Sequence, residues 1–327
     1  MCRTICVIHP GAIGDTLLAV EAICALRSRF PRHRFMLCGR PDVGELLREC
    51  EVIHEWISIE DSACLGLFGG SIPAHTRLAA WLKYCDLAVG WMKDGEGSVT
   101  AALRRAGARE TRVQSPFSPD LNARHQADRY LETVQRVSHP SPSGVRIQIP
   151  RHLKAQGQKW LTLLGLGVEQ RIALVHPGSG SRHKCIDSQV LAQLMERLKS
   201  QGFVLLILEG PADGEQVENV LQRMPVPPLV IRGADFLTVA GTLTYANVFI
   251  GHDSGVSHLS ALMHVPTVVL FGPTDPSRWA PRGSHVSIVT GGAACRCTSS
   301  NFTVPCAGKE CFPGSHEQLS EVCLALV

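Results

Sequence analysis

Short, continuously apolar segments alternate with amphipathic segments along the chain. Residues 4–9 read Thr-Ile-Cys-Val-Ile-His, which is typical of a parallel strand covered on both faces. After a turn that contains two glycines, residues 15–30 repeat apolar side chains on one face of a helix. Such alternation predicts parallel β-sheets whose strands are connected by helices.

Further runs of both kinds extend the pattern into each half of the chain. Strands are predicted at residues 35–38, 86–89, 172–175, 204–208, 229–231, 248–250 and 267–271, and helices at residues 188–201, 214–223, 236–245 and 255–263. A stretch rich in Pro, Ser and Gly at residues 139–150 predicts a linker. We therefore expect two doubly wound, Rossmann-like α/β domains that face a central cleft, residues 1–149 and residues 150–327.

Composition and charge narrow the class of protein. The 327 residues suffice for two domains at roughly 100–200 residues each, and 45% apolar residues provide material for buried cores. The formal net charge of +3 is too small to imply nucleic acid as a partner. No apolar run approaches the ~20 residues that span a bilayer, and the N-terminal apolar stretch is too short for a signal peptide. These features predict a cytoplasmic enzyme and leave contact with a membrane surface open.

The strongest local motif is Gly-His-Asp-Ser-Gly-Val-Ser-His at residues 251–258, between a predicted strand and a predicted helix. Backbone N–H groups and the positive end of the helix dipole would point at a bound phosphate there. Gly255 would allow a phosphate to approach the backbone closely. The alternative is an ordinary helix start capped by Asp253 or Ser254, and the motif alone does not decide between the two.

A second motif, His-Pro-Gly-Ser-Gly-Ser-Arg-His-Lys at residues 176–184, also follows a predicted strand. Flexible backbone donors beside Arg182 and Lys184 suit a diphosphate. The spacing of a Walker A loop is absent. A solvated loop between strand and helix is the equally weighted alternative.

A third motif, Gly-Ala-Ile-Gly-Asp-Thr at residues 11–16, follows the first strand. It lacks the Gly-x-Gly-x-x-Gly fingerprint, which argues against a nicotinamide enzyme. Asp15 at the helix start is either a residue that favours the helix dipole or a general base directed into the cleft.

Together these motifs resemble those of the bacterial heptosyltransferases of lipopolysaccharide core assembly, glycosyltransferase family 9. The resemblance rests on residues 11–17, residues 176–179 with Lys184, and residues 253–259. It is extended by Phe-Gly-Pro-Thr-Asp-Pro at residues 271–276 and by His-Gln-Ala-Asp-Arg-Tyr-Leu at residues 125–131. It implies a GT-B fold, with the acceptor on the N-terminal domain and the nucleotide-sugar donor on the C-terminal domain.

The resemblance also implies a reaction and its partners. An inverting, metal-independent enzyme would transfer a sugar, heptose from ADP-heptose, to an acceptor hydroxyl in lipopolysaccharide core or a related glycan. The sequence agrees in lacking an Asp-x-Asp pair after a strand, so we expect no cofactor and no metal. We expect a monomer that acts on a glycolipid or glycan acceptor, with possible peripheral contact at the cytoplasmic face of the inner membrane.

Site residues are carried over from the matching motifs. Asp15 matches the proposed base. The donor-binding residues implied are Gly14, Ser179, Lys184, Glu209, Asp213, Asp253, Ser254, Gly255, Val256 and His258. Among these, Lys184 would meet the donor phosphates, Asp253 would lie near the donor sugar, and Glu209 or Asp213 would lie near the nucleoside. The basic candidates for acceptor binding are Arg40, Arg77 and Arg109.

Four of the thirteen cysteines cluster near the C-terminus, namely Cys295, Cys297, Cys306 and Cys311. Their spacing fits no standard zinc pattern. We interpret them as an incidental or disulfide-capable cluster, with a structural metal as the alternative.

Two other functions are compatible with the same loops. A GT-B-fold nucleotide-sugar epimerase would share the donor site, but it would convert a nucleotide sugar without any acceptor. A non-catalytic nucleotide-sugar-binding protein would bind without turnover. The co-occurrence of Asp15 with the donor loops favours the transferase.

Overall fold

The computed structural model describes residues 2–117, 124–135, 144–167, 169–291, 311–312 and 316–326. The chain divides into one unit of residues 1–147 and a second of residues 148–327. This division lies two residues before the boundary expected from the sequence. Within the described residues no helix is both long and apolar enough to cross a membrane.

The first unit is a five-stranded parallel sheet with helices between its strands. Its elements are β1 (Thr4–Ile8), α1 (Ile13–Leu18), α2 (Val20–Arg29), β2 (Arg34–Gly39), α3 (Pro41–Glu49), β3 (Glu55–Ser58), α4 (Ser62–Phe68), α5 (Arg77–Leu82), β4 (Cys85–Gly90), α6 (Ser98–Arg105), β5 (Glu110–Val113) and α7 (Gln126–Val134). The strand order is β3-β2-β1-β4-β5, and every pair is parallel. The order reverses between β1 and β4, where doubly wound sheets bind ligands at the carboxyl ends of the strands.

The second unit repeats this architecture with six strands. Its elements are α8 (Arg151–Leu163), β6 (Ile172–Val175), a 3-10 turn (Arg182–Lys184), α9 (Ser188–Ser200), β7 (Val204–Glu209), α10 (Gly214–Leu221), β8 (Leu229–Arg232), α11 (Phe236–Leu243), β9 (Val248–His252), α12 (Gly255–Leu262), β10 (Thr267–Phe271), α13 (Pro276–Trp279), β11 (Val286–Thr290) and α14 (His316–Ala325). The strand order is β11-β10-β9-β6-β7-β8, all parallel, and it reverses between β6 and β9.

The central strands of both sheets form the buried cores, and this explains why those strands were predicted from the sequence. Every residue of β1, β6, β9 and β10 is buried, so each is a continuously apolar run with few polar positions. The strands β3, β5 and β11, which the sequence did not predict, lie at sheet edges and are mostly half-buried. These three strands are covered less and their sequences lack the apolar run that identified the others, whereas the edge strand β8 keeps the apolar run Leu-Val-Ile and was predicted.

The helix predicted at residues 15–30 was wrong in its extent. The structure has two helices, which meet at Ala19, and the first begins already at Ile13. The N–H of Ala19 bonds back to Thr16 only three residues away, which tightens the turn and ends α1. The break separates the short helix that carries Asp15 from the longer α2, which packs on α7.

Candidate functional site

Two loops of the second unit meet where the strand order reverses. Lys184, from the loop after β6, lies with its Nζ 2.7 Å from Oδ2 of Asp253, which follows β9. From the same β6 loop, the hydroxyl of Ser179 donates to the backbone carbonyl of Asp253 at 2.8 Å. His258, on α12, has its Nε2 3.9 Å from Oδ1 of Asp253. The fold thus brings together four of the predicted donor-binding residues.

Asp253 is ionised despite its burial. Only 10% of its side chain is exposed, and that burial by itself raises the pKa of the carboxyl. The nearby His258 and the charge of Lys184 together outweigh burial and hold the pKa well below its usual range. The site therefore contains a fixed carboxylate paired with a lysine whose side chain is 27% exposed.

The start of α12 is not capped by a side chain. Ser254 occupies the N-cap position without a side-chain bond to the first-turn amides. Its hydroxyl lies 3.2 Å from the Ser257 hydroxyl and 3.4 Å from Nδ1 of His176. Asp253, the other predicted cap, is engaged with Lys184 and His258. The structure therefore does not show the alternative in which Asp253 or Ser254 caps α12.

A buried pair holds the β6 loop in place. His176 Nε2 lies 2.9 Å from Oδ2 of Asp213, and the N–H of Gly210 donates to the same oxygen at 3.0 Å. Burial raises the pKa of Asp213, but the contact with His176, the bond from the Gly210 N–H and the nearby His252 together outweigh it, so the pKa is lowered. A Cβ on Gly178 would stand 1.9 Å from Cγ of Asp213, so only glycine fits. This placement assigns Asp213 to holding the loop, since its carboxylate faces inward.

Glu209, the other candidate for the nucleoside, ends β7 and behaves differently. Its carboxylate accepts from Nε of Arg232 at 2.8 Å, and 20% of its side chain is exposed. Asp213 and Glu209 were equal candidates in the sequence, and their different burial in the structure distinguishes them.

A pocket of about 360 Å³ opens beside the 3-10 turn that carries Lys184. Its charged lining comprises Arg182, Asp187, Glu215 and Arg223. Cationic and anionic groups are balanced there, so the lining by itself favours neither sign of ligand.

His252, which is not among the site residues predicted from the sequence, ties the two loops together. Its Nε2 accepts the N–H of Ile186 at 2.9 Å, and its Nδ1 lies 3.4 Å from the carbonyl of Gly178. His252 ends β9 and His176 directly follows β6. The available signal was a histidine at the end of each of two strands that become neighbours only in the folded sheet.

In the first unit, Asp15 is the third residue of α1, after the carboxyl end of β1. Its Oδ2 accepts the N–H of Ala12 at 3.3 Å, and the side chain is half-buried. The predicted capping contact is therefore present. This contact uses Oδ2, and the half-buried residue lies at the edge of the sheet where ligands bind in this fold.

The three candidate arginines do not lie together. Arg40 caps α3 after β2, at the same edge of the sheet as Asp15, and pairs with Asp42 at 3.0 Å. Arg77 pairs at 3.0 Å with a carboxylate at the start of β3, and Arg109 pairs at 3.2 Å with one near the start of β4. Because all strands are parallel, their starts lie at the edge opposite Asp15. Arg77 and Arg109 are therefore misplaced for an acceptor held at Asp15.

Most of the cysteine cluster lies outside the described residues. Cys295, Cys297 and Cys306 belong to that part, and Cys311 is buried. In the part of the chain that the structure describes, no three His, Cys, Asp or Glu side chains are grouped to hold a metal ion.

The order and spacing of these loops agree with a known family. A family model described as glycosyltransferase family 9 (heptosyltransferase) matches residues 101–304, well over half of the chain. The chain belongs to glycosyltransferase family 9. The matched range includes the loops after β6 and β9, and the resemblance inferred from the sequence is confirmed.

This family 9 glycosyltransferase is similar to proteins named as lipopolysaccharide or lipooligosaccharide heptosyltransferases. Lipopolysaccharide heptosyltransferase 3 of Escherichia coli is 27% identical over 124 residues, which cover 37% of the chain and 36% of that protein. Lipooligosaccharide heptosyltransferase 2 of Campylobacter jejuni is 21% identical over 319 residues, which cover 96% of the chain and 92% of that protein.

A solved structure extends the likeness to the fold. The structure of E. coli ADP-heptose lps heptosyltransferase II aligns with a TM-score of 0.76 at 17% identity, covering 99% of this chain and 98% of that one. The predicted GT-B class, with its two parallel-sheet α/β domains, is confirmed.

Proposed function

We propose that this family 9 glycosyltransferase is an inverting, metal-independent enzyme that transfers heptose from ADP-heptose to a hydroxyl of a lipopolysaccharide core or related glycan. The observation that carries the proposal is the Lys184–Asp253 pair, bound to Ser179, at the point where the strand order of the second unit reverses. A lysine, a carboxylate and the start of a helix converge there, as a sugar diphosphate requires.

The donor end of the reaction follows from this geometry. One proton of the Lys184 ammonium faces Asp253, and its other two can be donated to diphosphate oxygens. First-turn amides of α12 add donors and a positive dipole end. We propose that these groups stabilise the charge that grows on ADP as it leaves, while Asp253 contacts the sugar.

The acceptor end rests on Asp15. In the proposed step, Asp15 takes the proton of the acceptor hydroxyl while that oxygen attacks the anomeric carbon. The bond from this carbon to the diphosphate oxygen breaks with its electron pair leaving on ADP, and the configuration inverts. Arg40 is the candidate from the sequence that lies at the same edge of the sheet as Asp15, so we propose it for binding an acidic acceptor group.

Asp15→Asn tests the base. The asparagine oxygen can still accept the Ala12 N–H, so the helix start is retained while basicity is lost. We expect ADP release from ADP-heptose and heptose-truncated lipopolysaccharide to fall at least 100-fold, which is within the usual contribution of a general base. ADP binding should be unchanged by calorimetry.

Asp61→Asn is the matched control, because Asp61 caps α4 of the same unit by accepting the Ala63 N–H at 2.8 Å. It should retain full turnover. Near-normal turnover of Asp15→Asn would show that another group, or none, acts as the base.

The donor and the metal requirement are tested separately. A thermal-shift screen of ADP-, GDP-, UDP- and TDP-sugars should single out ADP-heptose, and a larger shift by another nucleotide would refute that donor. Turnover should be unaffected by an excess of EDTA. Incubation of the donor without acceptor should leave its sugar unchanged, whereas an epimerase would convert it.

We also propose that the glycolipid acceptor brings a monomeric, cytoplasmic protein to the inner membrane surface. Sedimentation with vesicles should then require lipopolysaccharide acceptor in the vesicle. Equal binding to plain phospholipid vesicles would contradict an acceptor-dependent contact.

A further inference from the structure

A fully buried histidine lies directly beneath the turn that carries Asp15. His9 follows β1, its ring is 1% exposed, and its backbone N–H donates to the Cys38 carbonyl at 2.8 Å. The N–H of Gly11 donates to Nδ1 of His9 at 3.2 Å, and the Thr16 hydroxyl lies 3.2 Å from the same atom. Gly11 precedes Asp15 and Thr16 follows it, so one ring nitrogen contacts both ends of the turn.

The opposite ring nitrogen contacts a different element. Nε2 of His9 lies 3.1 Å from the hydroxyl of Tyr130, on α7. Because a backbone N–H can only donate, the contact from Gly11 makes Nδ1 an acceptor and places the ring proton on Nε2. His9 thus donates to Tyr130 and accepts from the Asp15 turn, and accepting at Nδ1 requires a neutral ring.

Packing fixes the orientation of this ring. Its centroid lies 5.7 Å from that of Trp91, which follows β4, and 5.3 Å from that of Tyr130, both in edge-to-face arrangements. On the other side, a Cβ added to Gly11 would stand 2.6 Å from Cε1 of His9. The backbone of the turn therefore rests against the imidazole with no room for a side chain between them.

We infer that His9 is a positioning residue for Asp15, holding the turn of residues 11–16 against α7 through its hydrogen bonds to Gly11 and Tyr130. The inference rests on the proposed role of Asp15 as the base. A base must stand within hydrogen-bond reach of the hydroxyl it deprotonates, and a displacement of about 1 Å costs about 100-fold in rate. The ring neither touches substrate nor transfers a proton itself.

Four substitutions separate the two hydrogen bonds. In His9→Asn the side-chain oxygen takes the place of Nδ1 and can accept the Gly11 N–H. In His9→Gln the amide reaches toward Tyr130 but offers nothing at Nδ1. His9→Ala removes both contacts, and Tyr130→Phe removes only the hydroxyl.

The assay is steady-state ADP release with ADP-heptose and heptose-truncated lipopolysaccharide, together with calorimetric ADP binding. We expect kcat to fall about 100-fold in His9→Ala and about as far in His9→Gln. In His9→Asn we expect kcat within about 10-fold of wild type, because the contact that orients the turn is restored. ADP affinity and the KM for ADP-heptose should be unchanged in all variants, since Lys184, Asp253 and the start of α12, which are proposed to hold the diphosphate and the donor sugar, lie in the second unit.

A purely structural role predicts a different pattern. Loss of activity in proportion to thermal stability, with Asn no better than Gln, would overturn the inference, as would wild-type kcat in His9→Ala. Tyr130→Phe should lower kcat less than His9→Gln, because the Gly11 contact persists. If Asp15→Asn is inactive while His9→Ala is not, the inference alone fails. If Asp15→Asn keeps its turnover, the proposed base fails and the role of His9 fails with it.

Discussion

The buried imidazole of His9 makes the stability of the protein depend on pH in a window that can be calculated. Burial lowers the pKa of His9 from 6.5 to about 4, and its own backbone hydrogen bond opposes this only in part. Above pH 6.5 the ring is neutral in both the folded and the unfolded chain. Between pH 6.5 and about 4 the unfolded chain binds a proton that the folded protein excludes. Stability is therefore lost as the pH falls through this window.

The size of the effect follows from the shift. Each pH unit in the window costs about 1.4 kcal/mol of unfolding free energy, so the full shift corresponds to about 3 kcal/mol. From pH 7.5 to pH 5 the loss due to His9 alone should be about 2 kcal/mol. Net stabilities of domains are only about 5–15 kcal/mol, so the change is measurable.

Urea unfolding of wild type and His9→Asn, followed by tryptophan fluorescence at several pH values, isolates this contribution. Other titrating groups act on both proteins alike and cancel in the difference. We expect the stability advantage of wild type over the variant to shrink by about 2 kcal/mol between pH 7.5 and pH 5. A difference that stays constant with pH would refute the reasoning and show that the folded protein admits a charged His9.

Three further predictions concern the second unit. Lys184→Met should destabilise the protein by about 3 kcal/mol, because it leaves the buried Asp253 carboxylate unpaired, and unfolding of the single and double variants with Asp253→Asn should show the coupling. Gly178→Ala should cost about 1–3 kcal/mol in urea unfolding and weaken ADP binding, because the new methyl group displaces Asp213. Gly157→Ala should lower the melting temperature, because its Cβ would stand 2.2 Å from the backbone of α11 and force two helices apart.

Matched control variants test whether the stability losses have these specific causes or would follow any substitution in the same regions. Lys184→Arg keeps the charge beside Asp253 and should lose less stability than the methionine variant. Gly180→Ala lies in the same loop as Gly178 with nothing within 4 Å, and Gly214→Ala is the same change at the open start of α10. Both should be neutral or slightly stabilising. The steric explanation would be contradicted if Gly180→Ala lost as much stability as Gly178→Ala, or Gly214→Ala as much as Gly157→Ala.

The central strands were predictable because burial on both faces leaves a strong trace in the sequence, and the helices α9, α10, α11 and α12 were predicted between them. β6 and β10 were predicted with their observed bounds, and α9 and α12 within one residue at their ends. The edge strands β3, β5 and β11 were missed because polar residues interrupt them, whereas the edge strand β8 was predicted from three consecutive apolar residues. The break at Ala19 was missed because alanine is a good helix former and carries no stop signal.

The site was predictable only as separate loops. Lys184 and Asp253 were each singled out by their motifs, but their pairing at 2.7 Å arises from strands that are distant in sequence and adjacent in the sheet. The folded structure likewise distinguished the two candidate carboxylates, because Asp213 is buried against His176 whereas Glu209 lies at the end of β7. The structure also showed that the carboxylates paired with Arg77 and Arg109 lie at the edge of the sheet opposite Asp15.

The sequence by itself determined the alternation of strands and helices, the loops that carry Gly, Ser, Lys and Asp, and the resemblance to family 9. These properties are local, because they depend on periodicity and on residues within a few positions of each other. Only the tertiary structure decided which groups are buried, which carboxylate meets which cation, and how His9 supports the turn of Asp15. Burial and pairing depend on neighbours supplied by other elements, and the parallel sheet selects those neighbours by strand order rather than by distance along the chain.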